Sequence, residues 1–171
     1  MNDPKAEEIP EFDIRYTVAS DAKYLKQWLQ EDGILRWFPM KEPKEIEDSI
    51  KRWISFHRLK SSLTASVEGV PCGIATLYLH PYRKLSHQCQ FGIIVDPQYR
   101  NKGIGGSLIK NLIHLADNYF NIELLHLEVY EGNPAFNLYD RFGFKEFGRQ
   151  TKWIKDDGEY LGRIFMELLI N

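Results

Sequence analysis

Short stretches of alternating apolar and polar residues recur along the chain, a pattern typical of half-buried strands. The first covers residues 12–18, where Phe12, Ile14, Tyr16 and Val18 alternate with polar side chains. The same pattern predicts further strands over residues 62–67, 70–79, 88–95, 124–130, 144–154 and 160–170.

Apolar residues at helical spacing separate several of these strands and predict helices. One helix begins after Ser20, a suitable N-cap, and carries Leu25, Trp28 and Leu29 on one face. The other predicted helices span about residues 43–59, 104–120 and 133–142. In the third helix, one apolar face is formed by Ile104, Leu108, Leu112, Leu115 and Tyr119. Together the elements predict one mixed α/β domain over residues 12–171, preceded by a polar, flexible lead-in over residues 1–11.

Charge and cysteine content narrow the classes of partner. The chain has 22 basic and 24 acidic residues, a net charge of -2, so it lacks the broad basic field of a nucleic-acid-binding protein. No apolar run approaches the roughly 20 residues that span a bilayer, which argues against a membrane partner. Cys72 and Cys89 are the only cysteines, which favours buried free thiols and a reducing, cytoplasmic location.

Residues 91–108 combine a buried strand, a basic glycine-rich turn and the start of a helix. The first turn of a helix has unpaired N–H groups and a partial positive charge, so it binds anions. Gly103, Gly105 and Gly106 permit close approach of a phosphate, and Arg100 and Lys102 add positive charge. The P-loop pattern is absent, and Leu108 stands where a dinucleotide fingerprint needs its third glycine.

Two motifs in this order carry a resemblance to a known family. Arg100-x-x-Gly103-x-Gly105, preceded by Val95-Asp96-Pro97, resembles the pyrophosphate-binding motif of the GCN5-related N-acetyltransferases, the GNAT family. Residues 127–144 resemble the second signature of that family: a strand, an Asn, a short helix carrying Tyr, and then Gly-Phe. The resemblance covers about residues 12–171 and is weakest over the first 60 residues.

The resemblance implies an α/β (α+β) fold of the acyl-CoA N-acyltransferase type: a single mixed, mostly antiparallel sheet with helices on both faces and splayed central strands. The strand over residues 88–95 is expected to bulge at or beside Phe91-Gly92 and to diverge from residues 124–130. Acetyl-CoA, the implied co-substrate, would lie in that gap. The implied cofactor-binding residues are Ile93, Ile94, Val95, Arg100, Asn101, Lys102, Gly103, Ile104, Gly105, Gly106, Ser107, Asn133 and Phe136.

The resemblance also implies an activity, acetyl transfer to a primary amine of a small molecule, an amino acid or a protein N-terminus. Tyr139 matches the family tyrosine near the thioester sulfur, the expected general acid. The strand over residues 87–92 has no carboxylate to act as base. Glu128, His126 and Tyr130 share one face of the neighbouring strand, and each is a candidate to relay a proton through water. Glu128 is our choice, and a structural role for each stays open.

The acceptor side is less defined. Residues 28–38 resemble the part of related proteins that forms one wall of the acceptor site, and Glu31, Asp32 and Glu42 would attract a cationic amine. A solvated helix face accounts for these acidic residues equally well. The last two strands resemble a hairpin that completes the acceptor site or a homodimer contact in relatives. No histidine pair has the spacing of a helical metal site, so no metal is expected.

Two other functions remain open at this stage. One is a non-catalytic coenzyme A sensor or partner-binding module, which the missing strand carboxylate favours. The other is a nucleotide-binding protein that uses the same glycine-rich turn. No well-placed cysteine indicates an acyl-enzyme, because Cys89 lacks a basic partner in the sequence, so direct transfer in a ternary complex is expected.

Overall fold

The computed structural model describes residues 11–170. A single seven-stranded sheet organises this part of the chain. The strands are β1 (Asp13–Tyr16), β2 (Ser62–Val67), β3 (Val70–Tyr78), β4 (Gln88–Val95), β5 (Leu124–Tyr130), β6 (Lys145–Asp156) and β7 (Glu159–Leu169). The α-helices are α1 (Ala22–Leu29), α2 (Pro43–Ser55), α3 (Ile104–Phe120) and α4 (Ala135–Arg141).

The strands lie in the order β1-β2-β3-β4-β5-β7-β6. Neighbouring strands pair in antiparallel fashion, with the single exception of β4 and β5 in the described range. The sheet is therefore mixed and mostly antiparallel, which confirms the predicted fold class.

The parallel pair at the centre of the sheet is very short. Residues 88–90 of β4 pair with residues 124–126 of β5, and beyond that point the two strands share no register. Both strands instead line a common cleft over residues 91–95 and 127–130. The central strands are thus splayed, as expected.

The predicted bulge at Phe91-Gly92 is wrong. Residues 90–95 keep an unbroken register with β3, so β4 leaves β5 without an inserted residue. Gly92 serves another purpose, since a Cβ atom there would lie 2.7 Å from the Tyr78 hydroxyl oxygen. The glycine makes room for the tyrosine that packs over β4.

Two apolar cores lie on opposite faces of the sheet because strand side chains alternate. On one face α3 buries Leu108 and Leu112 against Ala75 and Leu77 of β3. On the other face α1 and α2 bury Trp28 and Trp53 against Ile74 and Ile94, together with Leu25, Leu29, Ile34, Met40, Ile50 and Ile54. Full burial of each such side chain stabilises the fold by about 1.5–3 kcal/mol.

A buried polar network fixes α2 on its face. The Trp53 indole donates a 2.8 Å hydrogen bond to the Thr76 hydroxyl, which lies 2.6 Å from the Ser62 hydroxyl. The network continues through Thr17 and Thr64, and the Thr64 hydroxyl donates to the Asp21 carboxylate. Because buried polar groups must be paired, this chain of hydroxyls defines how α2 sits on the sheet.

Some local predictions differ from the structure. Asp21, not Ser20, holds the start of the first helical segment, since its carboxylate accepts a 3.0 Å hydrogen bond from the Val18 N–H. Tyr119 is 66% exposed, so the buried face of α3 ends at Ala116. The predicted lead-in lies outside the described residues apart from position 11.

Candidate active site

The gap between β4 and β5 opens into a cleft of about 1410 Å³. Its lining comes from both faces of the sheet: α2 and the preceding turn on one side, α3 and α4 on the other. Pockets for small molecules usually measure roughly 300–1,000 Å³, so the cleft has room for a long ligand together with a second, smaller molecule.

The β4 backbone along this cleft has free hydrogen-bonding groups. The Asp96 N–H donates a 2.9 Å bond to the Cys72 carbonyl on β3. Because successive residues of a strand point their backbone groups to opposite sides, those of Ile93 and Val95 face away from β3, into the gap. Within the described residues, the Val95 carbonyl accepts only a long 3.4 Å bond from the Arg100 guanidinium. The edge is therefore open to an amide-bearing ligand.

The turn between β4 and α3 presents a set of backbone N–H groups. Asn101 (φ 60°) and Gly103 (φ 83°) have left-handed backbone conformations. The first helical bond of α3 runs from the Ser107 N–H to the Gly103 carbonyl at 3.0 Å. The N–H groups of residues 104–106 therefore precede the helical ladder and are available to an anion.

Glycine is needed in the first turn of α3 for packing as well. A Cβ atom at Gly105 would lie 3.2 Å from Leu138 of α4, closer than an ordinary contact. Arg100 is exposed at the rim of the cleft, and the Lys102 ammonium lies 5.5 Å from the centre of the Tyr99 ring. Two cations thus flank the amides.

Tyr139 of α4 lines the cleft with a tightly packed ring. The ring lies edge-on to Phe91 and Phe144, with centroid distances of 5.9 and 6.2 Å. Burial raises the pKa of the Tyr139 phenol, so the hydroxyl stays protonated throughout the neutral range. Among residues 11–170 no side chain or backbone group hydrogen-bonds this hydroxyl. Every fully buried side-chain nitrogen or oxygen atom in that range has a hydrogen-bond partner, so the Tyr139 oxygen is not itself fully buried. The hydroxyl therefore faces the open cleft.

Glu128 lies across the cleft in an ion pair. Its carboxylate accepts a hydrogen bond from Arg163 of β7, and the guanidinium stacks on the Trp153 ring at 3.4 Å from the centroid. The Trp153 indole donates a 3.3 Å bond to the Tyr130 hydroxyl. The four side chains form a connected group in which the carboxylate is held in place and compensated by charge.

His126 lies at the closed end of the gap, outside the cleft lining. One ring nitrogen is 2.7 Å from the Gln88 amide oxygen. Burial lowers the pKa of His126, and the nearby His80 lowers it further, so the imidazole is neutral near pH 7. His126 is thus a neutral base that lies outside the cleft lining.

The model of the Acetyltransferase (GNAT) family matches residues 22–144, which is more than half of the chain. The chain belongs to the GNAT acetyltransferase family. Its membership agrees with the splayed β4–β5 pair and with the glycine-rich turn at the start of α3.

Curated relatives of this GNAT chain act on different amines. It is 30% identical over 105 residues to an L-amino acid N-acetyltransferase of Escherichia coli, a match that covers 61% of the chain and 65% of that protein. It is 42% identical over 53 residues to a spermine/spermidine N(1)-acetyltransferase of Bacillus subtilis, covering 30% of the chain and 34% of that protein. In both cases the match spans less than two thirds of the relative's own length.

The fold is also shared with solved structures. A Salmonella typhimurium acetyltransferase structure, determined with its cofactor acetyl-CoA, superposes with a TM-score of 0.76 at 18% identity. The superposition covers 94% of each chain. At this level of identity the likeness establishes the fold.

The GNAT domain brings most of the predicted site residues to the cleft. Those that line it are Ile93, Ile94, Val95, Arg100, Asn101, Gly103, Gly105, Gly106, Glu128, Asn133 and Tyr139. Lys102, Ile104 and Ser107 belong to the same turn without lining the cleft, and Phe136 packs against the core. The Asn133 side-chain oxygen accepts a 2.9 Å bond from the Ala135 N–H, so it also holds the start of α4.

The α2 side of the cleft was missed by the sequence patterns. It is lined by Trp37, Phe38, Ser49, Arg52, Phe56 and Tyr78. Tyr78 lies edge-on to Phe56, at 5.2 Å between centroids. Trp37 and Phe38 fall within residues 28–38, the predicted acceptor wall. The others were not predicted, because residues on α2 and β3 are far apart in sequence and give no common motif.

A polar contact joins Lys41, just before α2, to the tip of the β6–β7 hairpin. The Lys41 ammonium lies 2.6 Å from an Asp156 oxygen and 3.0 Å from an Asp157 oxygen at the tip of the β6–β7 hairpin. All three side chains are exposed, so the contact is weak in free energy. It nevertheless brings the hairpin beside the segment that carries Trp37 and Phe38.

Neither cysteine is suited to nucleophilic catalysis. Burial, together with the nearby Asp96 carboxylate, raises the pKa of the Cys72 thiol to about 11. Burial alone raises that of Cys89 to about 12. Both side chains are fully buried, so neither forms a thiolate near pH 7.

No group of three or more His, Cys, Asp or Glu side chains in the part of the chain that the structure describes is arranged to hold a metal ion. No helix there combines the length and apolar character needed to cross a bilayer.

Proposed function

We propose that this chain is an acetyl-CoA-dependent N-acetyltransferase that transfers the acetyl group directly to a primary amine. The observation that carries the proposal is the continuity of two binding features. The open backbone edge of β4 leads straight into the amide-rich turn before α3. A ligand with an amide-containing arm and a diphosphate matches both features at once.

The residues present fit acetyl-CoA. Ile93 and Val95 offer backbone groups to the pantetheine arm, and the N–H groups of residues 104–106 face the diphosphate, with Arg100 at the rim. Asn133 keeps its side-chain N–H groups available after its oxygen has been used to hold α4. Direct contacts by the side chains of Lys102, Ile104, Ser107 and Phe136 stay predictions, because these residues do not line the cleft.

Acetyl-CoA supplies an acetyl group already activated as a thioester. The neutral amine nitrogen attacks the carbonyl carbon, the C–N bond forms, and the C–S bond breaks. Overall the nitrogen loses one proton and the sulfur gains one. The chain's contribution is to hold the reactants, to accept the first proton and to stabilise the leaving sulfur.

Tyr139 is the proposed donor to the leaving sulfur. Its phenol is kept neutral by burial and its hydroxyl faces the cleft. A thiol has a pKa of about 8.5, below that of the phenol, so complete proton transfer from Tyr139 to the sulfur is uphill. A hydrogen bond that strengthens as negative charge develops on the sulfur is therefore sufficient.

Glu128 is the proposed proton acceptor. It is the carboxylate of the cleft lining on the β5 side, and its ion pair with Arg163 holds it in place. A water molecule between amine and carboxylate would complete the relay. His126 lies further from the cleft, and the Tyr130 hydroxyl is engaged by Trp153.

The test is release of free thiol from acetyl-CoA with a panel of primary amines, alongside calorimetry of coenzyme A binding. We expect binding and amine-dependent thiol release that increases from pH 6 to pH 9, as the amine loses its proton. The absence of heat on mixing with coenzyme A, or of release with every amine, would overturn the proposal.

A second candidate function is a coenzyme A sensor without catalysis. The observation that favours it is the pairing of Glu128 with Arg163, which leaves the cleft without an uncompensated carboxylate among its described lining residues. A sensor would bind coenzyme A and give no thiol release. A cytoplasmic location and a homodimer also stay proposals, the first supported by the two buried free thiols.

A further inference from the structure

Arg52 is the cation of the described cleft lining on the α2 side, and its side chain is exposed. It lies on α2, and its guanidinium has no carboxylate within 4.0 Å among residues 11–170. Its positive charge is close enough to the Tyr78 hydroxyl to oppose the rise in the pKa of that phenol that burial causes. Tyr78 in turn packs over Gly92, where β4 leaves β5. Arg52 thus lines the α2 side of the cleft, as Tyr78 does, and Tyr78 packs where β4 and β5 separate.

Arg52 is poorly placed to bind the diphosphate. The anion-binding turn and α4 belong to the sheet face covered by α3, whereas α2 covers the opposite face. The diphosphate side has its own cations, Arg100 on the turn and Arg141 at the end of α4. The charge of Arg52 therefore serves the other reactant, the amine acceptor.

The electrostatic balance of the cleft lining as a whole is positive. Glu128 is neutralised by Arg163, and the other acidic residue of the described lining, Asp140, pairs with Lys145 at 3.4 Å. The acidic residues that the sequence offered for attracting an amine, Glu31, Asp32 and Glu42, do not line the cleft. A polyamine would meet a positive charge here instead of the acidic groups that it needs.

The side chains around Arg52 are mainly aromatic. Trp37, Phe38 and Phe56 line the same side of the cleft, and Phe38 contacts Trp53 with 6.2 Å between the ring centroids. Such a surface binds an apolar side chain, and an unpaired guanidinium binds a carboxylate through paired N–H groups. Together they describe an amine that carries both groups.

We propose that the acceptor is an α-amino acid with a bulky apolar side chain, and that Arg52 selects it by pairing with its carboxylate. This inference rests on the proposed acetyltransferase function and specifies its acceptor. Arg52 acts as a specificity-determining residue, while Tyr139 and Glu128 carry the chemistry.

The experiment compares two amines that differ by the carboxylate alone, L-phenylalanine and 2-phenylethylamine, with spermidine as a third acceptor. We expect wild-type protein to favour L-phenylalanine by at least about tenfold in kcat/KM, the range of a hydrogen-bonded charge pair. Arg52→Gln should remove that preference by lowering kcat/KM for L-phenylalanine alone. Arg52→Lys should restore part of it, since the charge returns without the planar fork.

Arg58→Gln is the matched control, because Arg58 is exposed just after α2 and lies outside the cleft lining. It should keep the preference of the wild type. Equal rates for L-phenylalanine and 2-phenylethylamine, a preference for spermidine, or an equal loss for both amines in Arg52→Gln would each overturn the inference.

A binding measurement separates this inference from the proposed function. L-Phenylalanine is titrated into wild-type and Arg52→Gln protein saturated with coenzyme A. Binding that depends on Arg52 without any thiol release would support the acceptor site and overturn the transferase. Thiol release together with binding that does not depend on Arg52 would support the transferase and overturn the assignment of Arg52 to the acceptor site.

Discussion

At the scale of single residues, Tyr139 combines a tightly packed ring with a hydroxyl that no described residue engages. Phe91 and Phe144 fix the ring, so its orientation does not depend on the hydroxyl. Removal of the oxygen therefore isolates a chemical role from a structural one.

Tyr139→Phe is expected to lower kcat by about a hundredfold, because the leaving sulfur loses its hydrogen-bond donor. The affinity for coenzyme A and the melting temperature should change little. Steady-state kinetics and calorimetry check both points, with Tyr119→Phe on the exposed part of α3 as control. An unchanged kcat in Tyr139→Phe would favour a different donor. If the wild-type protein itself releases no thiol, the sensor function is favoured.

Asp21 illustrates a residue whose role is purely structural. Burial tends to raise the pKa of its carboxyl, but hydrogen bonds from Arg15, the Val18 N–H and Thr64 outweigh burial and lower it. Its folded-state pKa therefore lies below the unfolded value of about 3.9. The ionised form stabilises the fold above that pH, and the contribution is lost as the pH falls through the folded-state pKa.

Asp21→Asn should reduce the free energy of unfolding by about 1–3 kcal/mol at pH 7, the usual cost of a lost charged hydrogen bond. The lower end applies if solvent screening of Arg15, which is 40% exposed, dominates. Urea unfolding from pH 7 to pH 3 measures the difference, which should shrink below about pH 4. A difference that is constant over this range would contradict the assigned role.

At the scale of elements, the start of α3 joins two demands on Gly105. The backbone lies close to α4, where Leu138 leaves little room for a larger side chain, and in the proposed diphosphate site its N–H group faces the ligand. The turn was recognisable from sequence because glycine and basic residues occur together just before an amphipathic helix. The turn lies next to the open edge of β4 because it directly follows that strand in the chain.

Gly105→Val should weaken coenzyme A binding by at least about tenfold, the value of one hydrogen bond to a charged group. Gly69→Ala is the control, since this glycine (φ 79°) lies in the β2–β3 turn, with no atom within 4 Å of an added Cβ. The control should lose stability through backbone strain and keep its affinity. Calorimetry and thermal unfolding of both variants decide the matter, and full affinity in Gly105→Val would exclude the turn as the diphosphate site.

Local periodicity predicted the strands and helices, and the two family motifs lie in segments that line the cleft. Periodicity could not reveal pairs that depend on strand register, such as Glu128 with Arg163, which lie 35 positions apart. It also overextended the α3 face to Tyr119, because periodicity does not show where the covering strand ends. Arg52 was not predicted either, because the residues that share the cleft with it come from other elements.

At the scale of the whole molecule, the two cysteines report on the integrity of the sheet. Cys72 lies on β3 and Cys89 on β4, and both are completely buried at the centre of the sheet. No local fraying at an edge exposes them, so their reaction with a thiol reagent requires opening of the central strands.

Native protein is therefore expected to react with a disulfide reagent at the rate of global opening, and in urea both thiols should react at once. Saturating acetyl-CoA, whose sulfur is blocked as a thioester, should slow the native reaction further, since a ligand of the folded state lowers the population of opened molecules. The absorbance of the released reagent thiol follows the reaction. Rapid labelling of the native protein would contradict this assignment.

The short β4–β5 pairing has a consequence for how the protein behaves in bulk. Beyond residue 90, β4 is an unsatisfied border in the middle of a sheet, and such a border is a template for a strand from another molecule. A bound pantetheine arm would occupy that template. The interruption of pairing that forms the cleft would then also make self-association depend on the ligand, with less association when the cleft is occupied.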